Sequence, residues 1–285
     1  MIFDNRVCEL GEGAFWHPLR RQFFWFDILG KKLHSIEDGE PRTWSFVELV
    51  SAAGWVSRDV LLIAGERDLF LFDLDTEEIE TVAELEADDP GTRSNDGRAD
   101  RQGGFWIGTM GKRGGDDPGR GSIWRWYRGE MRRIFTGLTI PNSICFTADG
   151  KFAHFSDTLT HRIQRVALDG DGWPAGGPET FVDLSGEGIL PDGAVVDADG
   201  NLWNAQWGAG RVACYGPDGR FLTAVPMGAL QTSCPAFGGE GLETLFCTSA
   251  REGMDAAALA ADPEAGKTFA VQGLGRGLPE PQVIL

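Results

Sequence analysis

Paired cysteines, basic runs and long apolar stretches are all missing from this chain, and each absence removes a class of function. Its five cysteines (Cys8, Cys145, Cys214, Cys234 and Cys247) are odd in number and never fall in a C-x-x-C spacing. Free, buried thiols in a reducing cytoplasm are therefore expected in place of a disulfide framework. Lys and Arg total 26 against 43 Asp and Glu, for a net charge of −17, and no run of them stands ready to neutralise phosphates. That argues against a nucleic-acid partner. No apolar run approaches the ~20 residues that span a bilayer, and Met1 to Arg6 lacks the apolar core of a signal peptide. The expectation is a soluble cytoplasmic protein. His17, His34, His154 and His161 share no metal-ligand spacing and none with a Ser or Cys, so a His-rich zinc site is not expected and these rings are read as structural or exposed. Three motif-like stretches also fail. Gly266-Lys267-Thr268 ends like a P-loop, but Ala261 occupies the first glycine position; Asp197 to Asn201 opens like a calcium loop, but Leu202 stands where glycine must be; no Ser sits in a G-x-S-x-G elbow.

What is present is a repeat. Gly occurs 40 times, Phe 18 and Trp 10, convincing amphipathic helices are few, and short strands joined by tight turns are indicated. Turns such as Asp100-Arg101-Gln102-Gly103, Ala148-Asp149-Gly150 and Ala198-Asp199-Gly200 each precede an apolar or aromatic strand, and a second, alternating strand follows. Taking Trp25, Leu62, Trp106, His154, Trp203 and Phe246 as equivalent marks, the steps are 37, 44, 48, 49 and 43 residues. A period of about 40–50 residues with some four strands per unit predicts a β-propeller blade. Six units make an all-β, six-bladed β-propeller, read as a single domain over 1–285, with Phe3 to Leu10 supplying the outer strand of the last blade and closing the ring. Only 255–261 reads as a helical turn or two, capped by Asp255.

In four units an oxygen-bearing side chain precedes the apolar strand at nearly constant distance. From Glu12, Asn95, Asn142 and Asp192 to mid-strand the counts are 13, 11, 12 and 11. Equivalent positions in a circular repeat point at a common axis. A lone Glu12 between two glycines reads as a solvated turn residue, and most of the chain's acidity reads as solvated turns; the shared register with Asn142 and Asp192 is what points to a hard-oxygen site for one divalent cation (Ca, Mg, Mn, Zn or Fe). Arg93 and Asn95, at the same end of the third unit, are placed to donate hydrogen bonds to a polyhydroxylated or carbonyl-bearing ligand. Asp157, on the next strand, is expected to order this site from behind.

At these residues the chain resembles the family of senescence marker protein (regucalcin), gluconolactonase and luciferin-regenerating enzyme. The resemblance is carried by Gly11-Glu12-Gly13-Ala14-Phe15-Trp16, Arg93-Ser94-Asn95-Asp96-Gly97, Gly108-Thr109-Met110, Pro191-Asp192-Gly193 and the stretch from Cys234 through Thr248-Ser249-Ala250-Arg251-Glu252-Gly253-Met254. It implies a six-bladed propeller with one divalent cation in its channel and, for many members, hydrolysis of a sugar lactone. On that basis Glu12, Asn142 and Asp192 are the metal ligands and Arg93 and Asn95 contact substrate; Asp192 is then expected to be the general base, since a carboxylate touching both metal and water can take a proton while held in place. Asp117, in competition with Asp116, is the acidic substrate residue ahead of the Gly121-Ser122 strand. One departure is Ser143, where the family often has glycine. The expected partner is a small-molecule sugar lactone. Hydrolysis of another ester, or a non-enzymatic calcium-binding or interaction propeller, is the alternative.

Overall fold

Residues 1–285 are described by a computed structural model in which six four-stranded antiparallel sheets follow one another along the chain. The innermost strands are Gly11–His17, Val50–Trp55, Thr92–Ala99, Pro141–Phe146, Leu190–Val196 and Thr232–Gly238. Each touches the next, and the sixth touches the first. The ring of a six-bladed β-propeller follows, as the repeat predicts. All six marks, from Trp25 to Phe246, lie on second strands and are buried.

The blades are held by apolar layers between neighbouring sheets. Phe15, Phe24, Phe26 and Leu33 of the first blade pack on Val50, Leu61, Ile63 and Phe70 of the second, and Cys145, Ile163 and Val182 of the fourth on Ala194, Leu202 and Ala213 of the fifth. Strands buried on both faces explain why the aromatic runs read as continuous and not as alternating.

Two terminal segments close the ring. Ile2–Asp4 pairs with Thr268–Gln272, so the sixth blade takes its outer strand from the N-terminus; the closing strand is shorter than the expected stretch to Leu10 and covers an otherwise open edge. The C-terminal tail crosses the far end of the channel. Gly277 N donates to Leu242 O at 2.8 Å, Val283 N to Trp55 O at 2.9 Å and Ile284 N to Gly103 O at 2.8 Å. The tail thereby joins blades six, two and three, and Glu280 pairs there with Arg98. The helix Ala256–Ala261 forms where expected, with the Asp255 carboxylate accepting from Ala258 N at 2.8 Å. No helix is long and apolar enough to cross a membrane.

Candidate metal centre and ligand cavity

Every innermost strand breaks register near its start: between Glu12 and Phe15, Val50 and Ala52, Ser94 and Gly97, Asn142 and Cys145, Pro191 and Ala194, and Thr232 and Pro235. Such bulges re-aim side chains out of the pleat. They also explain the uneven sequence counts. Glu12 and Asn142 hold the last paired position before the bulge, whereas Asn95 and Asp192 lie within it, one position later. At the first bulge Gly13 has φ +56°, and a Cβ there would stand 2.1 Å from the Ser51 carbonyl oxygen; only glycine lets the first two blades approach.

A directed chain of hydrogen bonds fixes the polar side chains. Arg93 Nη1 donates to Asn95 Oδ1 at 2.8 Å, Asn95 Nδ2 to Asn142 Oδ1 at 2.8 Å, Asn142 Nδ2 to Thr158 Oγ1 at 2.9 Å, and Thr158 Oγ1 to the Pro191 carbonyl at 2.8 Å. Because its amide nitrogen is committed to Thr158, Asn142 turns its oxygen toward the cavity. Asp157 accepts from Thr139 N at 2.9 Å and Ile140 N at 3.1 Å, pinning the approach to Asn142. Asp27 does the same for Leu10 N at 3.0 Å, ahead of Glu12. The expected ordering role of Asp157 is thus visible as backbone capping, and its repeat equivalent Asp27 carried no such expectation.

Glu12, Arg93, Asn95, Asn142 and Asp192 are all nearly inaccessible and line one cavity of about 410 Å³. Burial, reinforced by the charge of Asp96, pushes the Glu12 carboxyl up to about 8. Burial, then Glu12, raises Asp192 well above the usual carboxylate range. Asp192 Oδ1 has no hydrogen-bond partner, and Glu12 accepts only from Gly13 N at 3.2 Å. Two buried carboxylates short of donors, joined by an inward amide oxygen, are a donor set that fits a hard divalent cation.

Lys112, Arg113, Gly114 and Gly115 form part of the cavity rim. Met227 and Gly228 do not reach it; Gly228 lies against the Phe269 ring. Asp117 does not line the cavity either. Its carboxylate accepts from Arg113 N at 3.1 Å and Nε at 2.9 Å, which holds it below the usual carboxylate range, while Asp116 is exposed. Neither reading of that acidic pair brings an oxygen to the cavity, because the loop spends Asp117 on shaping itself. Sequence reasoning missed Glu252, Thr158 and Trp207, which do line it. Glu252 sits inside a stretch quoted for the resemblance, and the axial register used to find the other groups does not extend to its loop.

A second group of potential ligands, Cys8, Asp27 and His34, has its donor atoms within 4.8 Å of one another. It makes a poorer cation site. The Asp27 carboxylate already accepts from Leu10 N, Gly30 N and Glu9 N, burial pushes the Cys8 thiol up to about 12, and the Arg6 guanidinium lies 3.5 Å from His34 Nδ1.

Comparison with known proteins agrees with this architecture. The chain is 38% identical over 280 residues to an L-arabinolactonase of Azospirillum brasilense, covering 95% of this chain and 91% of that one. It is 33% identical over 275 residues to a 6-deoxy-6-sulfogluconolactonase of Pseudomonas putida, covering 95% and 94%. The crystal structure of a calcium-binding protein, regucalcin, from Agrobacterium tumefaciens superposes with a TM-score of 0.95 at 40% identity, covering 100% of this chain and 97% of that one. Residues 10–251 match the SMP-30/Gluconolactonase/LRE-like region, and the chain belongs to that family.

Proposed function

We propose that the protein is a divalent-cation-dependent sugar lactone hydrolase that opens an aldonolactone to the aldonic acid. The observation that carries this reading is the pairing of the uncommitted Asp192 Oδ1 with the buried Glu12 carboxylate and the Asn142 oxygen in one cavity. Relatives named for lactone hydrolysis over nearly the whole chain support it.

Glu12, Asn142 and Asp192 would hold the cation, and Lewis-acid polarisation of the lactone carbonyl is what such an ion supplies once bound. Calcium fits the oxygen donors, as it does the regucalcin named for binding it; magnesium, manganese, zinc and iron(II) fit the same set. Arg93 uses only Nη1 within the protein, so its Nε and Nη2 remain to orient ring hydroxyls, and Asn95 holds Arg93 in place. Asp117 acts on substrate through Arg113, which it fixes at the rim. A water oxygen attacks the lactone carbonyl carbon, Asp192 takes its proton as general base, and the ring C–O bond breaks. The ring oxygen takes that proton from Asp192 and leaves as a hydroxyl, and the carbonyl carbon becomes the acid. Leu10, Ile140, Leu190 and Trp207 give the cavity apolar walls against the C–H faces of a sugar. The five free, buried cysteines suit a reducing cytoplasm.

The test is acid release, followed with a pH indicator, from a panel of aldonolactones on chelated protein with each ion restored singly. Release that needs one ion and that Asp192→Ala abolishes is expected. Ion-independent release, or an Asp192→Ala variant that binds the ion and still turns over, defeats the reading.

A further inference from the structure

Glu252 is the cavity carboxylate that neither the proposed cation site nor the protein's own hydrogen bonds use. It stands on the turn after the second strand of the sixth blade, and that turn is fixed before any ligand arrives. Arg251 N donates to Glu9 O at 2.9 Å, Ala250 N to Gln231 O at 3.0 Å and Met254 N to Arg251 O at 3.0 Å. The Glu252 carbonyl itself accepts from Gln231 Nε2 at 3.1 Å. The side chain makes no hydrogen bond or ion pair, whereas two cations that line the same cavity are already engaged, Lys112 with Glu66 and Arg113 with Asp117. Among the acids, Glu252 is the strongest charge partner of Arg93. Glu12 and Asp192 are almost completely buried, whereas Glu252 is only half-buried, so it stands nearer the mouth of the same cavity.

A carboxylate carried on a fixed turn, with free acceptor oxygens, recognises hydroxyl donors and repels anions. We infer that Glu252 is a specificity-determining residue that accepts hydrogen bonds from the hydroxyls of the lactone, so that the substrate class is a neutral, polyhydroxylated lactone. This rests on the lactone-hydrolase reading above. Paired with Arg93, it clamps the sugar between an acceptor and a donor, and an unsubstituted ring gains nothing from either.

The experiment compares wild type with Glu252→Gln and Glu252→Ala on the best aldonolactone and on δ-valerolactone, the latter followed as substrate or as competitive inhibitor. Glutamine preserves shape and guards against misfolding of the alanine variant. KM for the aldonolactone should rise about tenfold or more on loss of the charged acceptor, with kcat within about threefold, and the constant for δ-valerolactone should change less than twofold. An equal loss on both compounds would make Glu252 part of the general machinery and overturn the inference, as would an unchanged aldonolactone KM. If wild type opens no lactone, the hydrolase reading falls and takes this one with it. If wild type is active and Glu252→Gln matches it, this inference alone falls.

Discussion

The Ser143 hydroxyl donates to the Asp192 backbone carbonyl, tying the fourth blade to the fifth directly beside the two candidate ligands Asn142 and Asp192. Ser143 does this from φ +58°, a left-handed conformation that costs an L-residue roughly 1–2 kcal/mol. The same hydroxyl meets Ser156 Oγ at 3.0 Å and receives Asn204 Nδ2 at 3.2 Å. Here glycine would relieve the backbone and serine supplies an inter-blade bond. Ser143→Ala keeps the strain and loses the bond, so it should cost about 1–2 kcal/mol in urea unfolding. Ser143→Gly loses the bond but also sheds the strain, and should fall between alanine and wild type. An alanine variant as stable as wild type would show that the hydroxyl holds nothing.

The buried carboxyls predict how the cation-free protein responds to pH. Glu12 in the fold sits at about 8 against an ordinary 4.5, so the folded chain keeps a proton that the unfolded chain releases. That contribution is whole below about 4.5 and is lost as pH rises toward 8; Asp192 shifts in the same direction. Burial depresses His154 to about 3 and His17 and His34 to about 4, from 6.5. Their contribution is whole above about 6.5 and shrinks as pH falls. Chelated protein should therefore lose melting temperature between pH 6.5 and 8, and a bound cation should remove that loss by displacing the protons. Melting curves with chelator and with ion across this range decide it; a chelated protein that gains stability above pH 6.5 contradicts the assignment.

The ring was legible in the sequence because its period rests on buried second-strand residues such as Trp25 and Trp203, whose large apolar side chains have no alternative but the layers between blades. The axial groups were legible because one bulge per blade keeps Glu12, Asn142 and Asp192 within one residue of a common register. Loop groups were not. Whether Asp117 points at a ligand or at Arg113 depends on a short 3-10 turn over Gly114–Asp116, which no periodicity encodes. Glu252 likewise depends on a turn pinned by Glu9 and Gln231, residues remote in sequence.

That placement of Asp117 carries its own expectation. Its carboxylate fixes Arg113 through the backbone nitrogen and Nε, and Arg113 lines the cavity where Asp117 does not. Asp117→Asn should raise KM for the lactone by about three- to tenfold with little change in kcat, because the rim loosens while the floor stays intact. Arg113→Ala should do the same, and the double variant should be no worse than either single one. Additive losses in steady-state kinetics would instead give Asp117 its own contact with substrate.

At the opposite end of the channel, Glu280 of the C-terminal tail pairs with Arg98, whose side chain is 8% exposed and whose Nε finds no partner. The remaining contacts of that guanidinium are long, 3.4 Å to the Ala14 carbonyl and 3.5 Å to that of Pro235. Without Glu280 the inner strands would enclose a cation with little but the nearby Asp96 to balance it. Removing one partner of such a pair costs about 3–5 kcal/mol, whereas replacing both by apolar groups of similar volume is often neutral. Glu280→Ala should thus lower the urea midpoint sharply, and Arg98→Met combined with Glu280→Met should recover most of the loss. The recovery separates charge burial from mere tail detachment, since a detached tail also forfeits the hydrogen bonds of Gly277, Val283 and Ile284 and no substitution at Arg98 restores those. A Glu280→Ala protein within about 1 kcal/mol of wild type would mean that Arg98 needs no partner and that the tail merely covers the channel.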